Sequence, residues 1–130
     1  MKQEDKELLL KDLCVRLPYG VRCSFGVDDA VYEVCGINPS CCGASEIQAT
    51  HIKSSINGDF KITSCRPYLF PLSSMTEEQK KELQSLMAQD SYGILYHTIK
   101  SYDYLNKHHF DYRGLIPMGL GIDATNLNIY

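Results

Sequence analysis

No stretch of this sequence approaches the ~18 consecutive apolar residues of a membrane-spanning helix. Near the start the apolar run stops after Leu8-Leu9-Leu10. It follows Met1-Lys2-Gln3-Glu4-Asp5-Lys6-Glu7, which is charged and largely acidic, whereas a secretory leader needs a positive start and a longer apolar stretch. The expectation is a cytoplasmic protein with no membrane partner. A basic excess is lacking too: thirteen Lys and Arg stand against sixteen Asp and Glu, for a net charge of −3. No basic stripe compensates, which disfavours nucleic acid as a partner. Tryptophan is absent, as are C-x2–4-C pairs, a Gly-rich phosphate loop and a nucleophile elbow. There is no internal repeat and no low-complexity tract to mark a boundary.

What is present suits one domain, 1–130. Apolar residues make up 44% and charged residues 22%, an ordinary globular balance and not that of a disordered chain. A chain this long buries roughly two-thirds of its extended surface on folding. Tyrosine is over-used, nine against four Phe, so several rings should line the core edge with hydroxyls reaching a backbone group or water. The six cysteines show no paired spacing, and a reducing compartment is expected. Cys14, Cys23 and Cys65 read as small core hydrophobes. Cys41 and Cys42 read as exposed thiols in a loop.

From Glu4 to Leu17 the positions Leu9, Leu10, Leu13, Cys14 and Leu17 follow helical spacing, and Pro18 with Gly20 stops the helix. The period then falls to two. Val21, Cys23 and Phe25 alternate with polar residues as one strand, and Val31 to Ile37 forms a second after the Gly26-Val27-Asp28-Asp29 turn. Asn38 to Ala44 reads as a loop. Ile47 to Ile56 and Asp59 to Cys65 flank Asn57-Gly58, a strong two-residue hairpin signal. Pro67 and Pro71 close the strand region. Thr76-Glu77-Glu78-Gln79 matches a capping box opening a helix with Leu83, Leu86 and Met87 on one face, and Glu77 with Lys81 makes an i,i+4 pair. Gly93 ends or follows that helix, and Ser101 caps a third, short helix through about His109. Arg113-Gly114 is its exit, and Leu115 to Tyr130 is an irregular tail. The fold class expected is α+β: an N-terminal helix, a four-stranded antiparallel sheet or small barrel of two hairpins, then two helices and the tail.

Three blocks, KELLLKDLCVRLPYGV (Lys6–Val21), RPYLFPLSSMTEE (Arg66–Glu78) and YDYLNKHHFDYRGLI (Tyr102–Ile116), cover 44 of the 130 positions. They resemble a family of small uncharacterised proteins from anaerobic gut bacteria, their prophages and mobile elements. The resemblance implies a phage or mobile-element setting. It implies no activity, cofactor or site residue.

The densest polar cluster is His108-His109-Phe110-Asp111-Tyr112-Arg113. Two imidazoles, a carboxylate and a guanidinium are the parts of a metal-dependent hydrolase, with His97 and Asp103 as further ligands. Adjacent histidines diverge by about 100° on a helix, however, and metal-binding helices space them three or four apart. The structural reading makes the cluster a helix terminus, with one buried hydrogen-bonding imidazole and Asp111 bound to Arg113 or a turn amide. Arg22, Lys53, Lys61 and Arg66 lie on or beside the strands. A polar sheet face of Arg22, Ser24, Lys61 and Thr63 would suit single-stranded nucleic acid, but Glu33 and Asp59 interrupt it. The connector Tyr68 to Met75 is apolar enough either to dock a partner or to cover a sheet edge. These features favour a non-enzymatic accessory or interaction module with another protein as partner. A weak nucleic-acid-binding module is the alternative and a hydrolase built on His108, His109, Asp111 and Arg113 the third reading; no cofactor or metal is implied.

Because nothing in the spacing pairs the cysteines, thermal melts with and without reductant should coincide. A melting temperature ten or so degrees lower in reductant would show a fold that depends on a disulfide.

Overall fold

Helix α1 spans Gln3–Arg16 in the computed structural model, which describes residues 1–27, 29–38, 46–87 and 94–130. Glu4 and Asp5 in the first turn and Arg16 in the last complement its dipole. Its fully buried positions are Leu9, Asp12, Leu13 and Arg16, an i, i+3, i+4, i+7 stripe. The core stripe therefore carries a carboxylate and a guanidinium. Cys14, expected in the core, lies about one residue-step around the helix and is exposed. Cys23 and Cys65 are buried as expected.

A turn of 3-10 helix, Leu17–Tyr19, ends at Gly20, whose positive φ of 68° suits glycine. Strands β1 (Arg22–Ser24), β2 (Tyr32–Ile37), β3 (Ile47–His51) and β4 (Asn57–Phe60) form an antiparallel meander. This corresponds to the two expected hairpins, side by side. The sheet does not stop there. β5 (Arg66–Pro71) pairs antiparallel with β1 through Cys23↔Pro67, and parallel with β6 (Phe110–Asp111) and β7 (Ile122–Asp123) through Phe70↔Phe110 and Tyr68↔Ile122. The result is an open, mixed, seven-stranded sheet of order β4-β3-β2-β1-β5-β6, with β7 on β5. It replaces the expected four-stranded antiparallel sheet or barrel.

Two local corrections explain the difference. Pro67 and Pro71 do not end the strand region; they lie near the two ends of β5, where a missing amide is least costly. The apolar run beginning at Tyr68 is thus an interior strand of the sheet, not a cover over its edge. Nor is Asn57-Gly58 the hairpin turn. Asn57 pairs with Thr50 and Gly58 with Ala49, and the chain reverses over Ile52–Ser55, with Ser55 at φ 59°. Gly58 is needed for a different reason: a Cβ there would lie 2.8 Å from the Phe60 ring. That ring stacks on Phe25 at 4.0 Å and meets Tyr32 edge-on. Asp59 to Cys65 is correspondingly not one strand, because β4 stops at Phe60 and a 3-10 turn, Ile62–Ser64, follows.

Helix α2 (Glu77–Met87) begins with the expected capping box: Thr76 Oγ1 accepts from the Gln79 amide at 3.1 Å, and Gln79 Oε1 from the Thr76 amide at 2.9 Å. The surface pair found beside it is Glu77–Lys80 at 3.1 Å. Helix α3 (Ile94–Lys107) starts earlier than expected, so Ser101 is not its cap but an interior residue donating to the His97 carbonyl. Asp28 of the expected turn, residues 39–45 of the expected loop with Cys41 and Cys42, and Gly93 at the expected helix end lie outside the described residues. No helix among those described is long and apolar enough to cross a membrane.

The main core joins Leu9 and Leu13 to Val21, Ile47, Ile62 and Leu69, and a smaller cluster of Met75, Leu105 and Phe110 lies under α2 and α3. Buried charge links the two. Arg16 Nε meets Asp12 Oδ2 at 2.8 Å, and Arg16 Nη2 donates to the Phe110 carbonyl at 2.6 Å. Asp12 Oδ1 faces Arg113 Nε at 3.4 Å. Removing one partner leaves an uncompensated buried charge, so Asp12→Ala or Arg16→Ala should each cost about 3–5 kcal/mol. The double change Asp12→Leu with Arg16→Met should recover most of that loss in urea unfolding. A single substitution costing under about 1 kcal/mol would show that the pair does not hold α1 in place.

Candidate functional site

The segment His108–Arg113 is the passage from α3 into β6, and its backbone decides where each side chain goes. His108 N–H bonds the Tyr104 carbonyl and His109 N–H the Asn106 carbonyl, both at 3.1 Å, satisfying the last turn of α3. His109 takes the left-handed conformation, φ 60°, and its carbonyl accepts from the Phe70 amide at 2.8 Å as β6 begins. A non-glycine residue at this φ is disfavoured by about 1–2 kcal/mol. The ring repays part of this by stacking on Tyr130, centroids 3.8 Å apart and 10° from parallel.

Beyond that turn the cluster divides between two sides of the molecule. His108 and His109 line a cleft of about 450 Å³ with Phe70, Ser74, Lys107 and Tyr130. Asp111 is 7% exposed and turns away to accept from the Leu115 and Ile116 amides at 2.8 and 2.9 Å. Arg113 faces Asp12, and its guanidinium and that of Arg16 both lie 5.3 Å from the Tyr112 ring centroid. The four cluster residues do not meet at one point. Asp103 lines a different groove with Arg113, and His97 a third hollow with Leu83, Met87 and Leu105. Among the described residues no group of three or more His, Cys, Asp or Glu side chains could hold a metal ion.

His109 is 6% exposed, and its Nδ1 is buried with no hydrogen-bond partner among the described residues. Burial pushes its pKa down to about 4, and the cationic surroundings of Arg16, His108 and Arg22 add to this. The imidazole is therefore neutral at pH 7. Tyr130 closes the cleft from the other side. Its hydroxyl donates to the Tyr68 carbonyl at 2.8 Å and accepts from the Arg22 amide at 3.0 Å. Burial of that hydroxyl raises its pKa.

The groove that contains Asp103 is larger, about 730 Å³, and runs between the C-terminal end of α1 and α3. Four large side chains on its walls are exposed: Val15 (38%), Tyr19 (36%), Ile99 (51%) and Tyr102 (48%). Tyr102 meets Tyr112 edge-on at 5.1 Å, extending the aromatic wall. Asp103 is exposed and makes no hydrogen bond or ion pair among the described residues.

The basic residues beside the strands do not form the expected face. Arg22 donates to the Ile129 carbonyl and lies 3.6 Å from Glu33. Lys61 and Thr63 fall outside the strands, at and in the 3-10 turn after β4. Nothing in the sequence signals Tyr130, a lone tyrosine in an irregular tail, whereas the i,i+4 spacing of Asp12 and Arg16 is a signal that the helical pattern of leucines masks. No family model, curated protein or solved structure matches this chain.

The unfolded imidazole of His109 takes up a proton near pH 6.5 and the folded one near pH 4. Between those values the unfolded state binds more protons, so stability is lost as the pH falls through the window. Wild type should lose about 3 kcal/mol from pH 7 to pH 4 relative to His109→Asn, which accepts positive φ and does not titrate. Parallel pH profiles in denaturant titrations would show that His109 is not held neutral.

Proposed function

We propose that this chain is a non-enzymatic protein-interaction module, acting in the cytoplasm in a phage or mobile-element setting, and that the α1–α3 groove is its contact surface. The setting rests on the three sequence blocks alone. The observation that carries the interaction reading is the convergence of Val15, Tyr19, Ile99 and Tyr102, all exposed, on a single groove. Scattered apolar residues on a surface are ordinary, but a contiguous patch with polar edges is the mark of a docking site. Tyrosine suits this role because its ring contributes contact area while its hydroxyl tolerates water.

The charges at the groove specify the partner further. Arg113 is already engaged by Asp12, whereas Asp103 stands without a counter-ion among the described residues. The complementary partner is an apolar segment carrying a lysine or arginine opposite Asp103. A hydrolase finds less support, because among the described residues His108 and His109 share their cleft with no carboxylate and Asp111 is committed to two backbone amides.

A photo-crosslinking amino acid at Ile99 should give one dominant protein adduct in the native host, and the same label at Ile56, 68% exposed in the β3–β4 turn, should give none. Adding Asp103→Lys to the Ile99 label should reduce the adduct severalfold without changing the thermal melt. Equal adducts from Ile99 and Ile56, or an adduct indifferent to Asp103→Lys, would remove the groove from the function.

A further inference from the structure

The cleft beside Tyr130 has a composition that the protein-interaction reading does not use. The chain is acidic overall, at −3, yet among the described residues no aspartate or glutamate lines this cleft. Its titratable groups are Lys107, His108, His109 and the phenol of Tyr130. Acids on neighbouring segments are engaged elsewhere: Asp123 accepts from the Thr125 amide and hydroxyl at 2.9 and 2.6 Å, Glu77 pairs with Lys80, and Glu82 accepts from the hydroxyl of Tyr104, whose ring lies 4.4 Å from that of His108. Glu78 shares the first turn of α2 but does not line the cleft.

Hydrogen-bonding capacity points the same way. Ser74 and Thr125 have given their hydroxyl protons to the Pro71 carbonyl and to Asp123. Gln79 has its carbonyl end held by the Thr76 amide, which leaves its NH2 group as a donor. The remaining donors are therefore Lys107, His108, Gln79 and Asn126, the pattern that an oxyanion requires. Gln79 belongs to the first turn of α2, an eleven-residue helix whose positive dipole end adds to the field.

At the floor stands an independent sign of an unmet partner. His109 is more than nine-tenths buried, lines the cleft and has an Nδ1 with no hydrogen bond among the described residues. Buried polar atoms are normally satisfied, so this orphan beneath the cleft wall leaves hydrogen-bonding capacity unmet next to the cleft. The cleft volume of about 450 Å³ exceeds what an inorganic anion fills, which leaves room for an organic portion. Phe70, Phe110 and Tyr130 provide an apolar wall for it.

We propose that this cleft binds a small phosphomonoester, its phosphate held by Lys107, His108 and the start of α2 and its organic portion lying over the His109–Tyr130 stack. The site is separate from the α1–α3 groove, and either assignment stands without the other.

The full chain, isotope-labelled at histidine, tests this in three arms at millimolar concentration: adenosine monophosphate, inorganic phosphate and adenosine. Both phosphate-bearing probes should move the imidazole resonances of His108 and His109 while leaving His51 and His97 in place. Adenosine monophosphate should saturate at a concentration about tenfold lower than inorganic phosphate, because it also fills the apolar wall. Adenosine alone should move neither pair. Lys107 is exposed, so Lys107→Ala should leave the melting temperature unchanged and weaken phosphate binding about tenfold. Absence of shifts at His108 and His109 with either phosphate probe would overturn the proposal. So would equal shifts from adenosine and its monophosphate, or unchanged affinity in Lys107→Ala.

Discussion

The contact between Arg16 and the Phe110 carbonyl, with Asp12 behind it, is the constraint on which the rest of the molecule is arranged. It joins the first helix to a strand 94 residues later in the chain, and it does so entirely out of water. Burial raises the Asp12 pKa against the opposing pull of Arg16, so desolvation is the larger effect and the pair is costly to build. Ion pairs of this kind add little net stability beside a well-packed hydrophobic alternative. Their effect is directional: a guanidinium in the core must find oxygen acceptors, and only one placement of β6 against α1 supplies the Phe110 carbonyl.

That placement sets both candidate surfaces. With Phe110 fixed, the left-handed turn at His109 presents the imidazoles and Tyr130 on one side, while Tyr112 and Arg113 line the groove against α1 on the other. One short segment thus separates the histidine-lined cleft from an aromatic groove. The chemistry of the cluster is divided by backbone geometry, and Asp111, the carboxylate that would complete a catalytic set, instead holds the turn at Leu115 and Ile116.

Local signals in the sequence carried as far as local physics reaches. The capping box at Thr76, the alternation from Val21 to Phe25 and the stop at Pro18 and Gly20 each depend on neighbours a few residues away. β5 is hidden in the sequence because its prolines are strong local breakers, while its pairing with residues 110 and 122 is decided by tertiary contact. Two-residue strands such as β6 and β7 have no period to detect. The Asn57-Gly58 signal failed in a similar way, since the aromatic cluster around Phe60 required a glycine within the strand and the reversal moved to Ser55. Of the site, the histidine pair was visible as composition, but the groove was not. Its walls come from α1 and α3, helices distant in sequence whose exposed residues look like ordinary surface.

The position of β5 bears on the order in which the chain acquires structure. The β1–β4 meander pairs only strands that are consecutive in the sequence and can form as soon as its residues are synthesised. β5 then pairs with β1 on the completed meander, but its parallel partners do not exist until residues 110 and 122 have emerged. Non-local parallel pairing is intrinsically slow. During synthesis the edge of β5 bearing Tyr68, Leu69 and Phe70 is therefore an open template for another strand, and the interval before β6 and β7 arrive is when this protein is most exposed to misassembly.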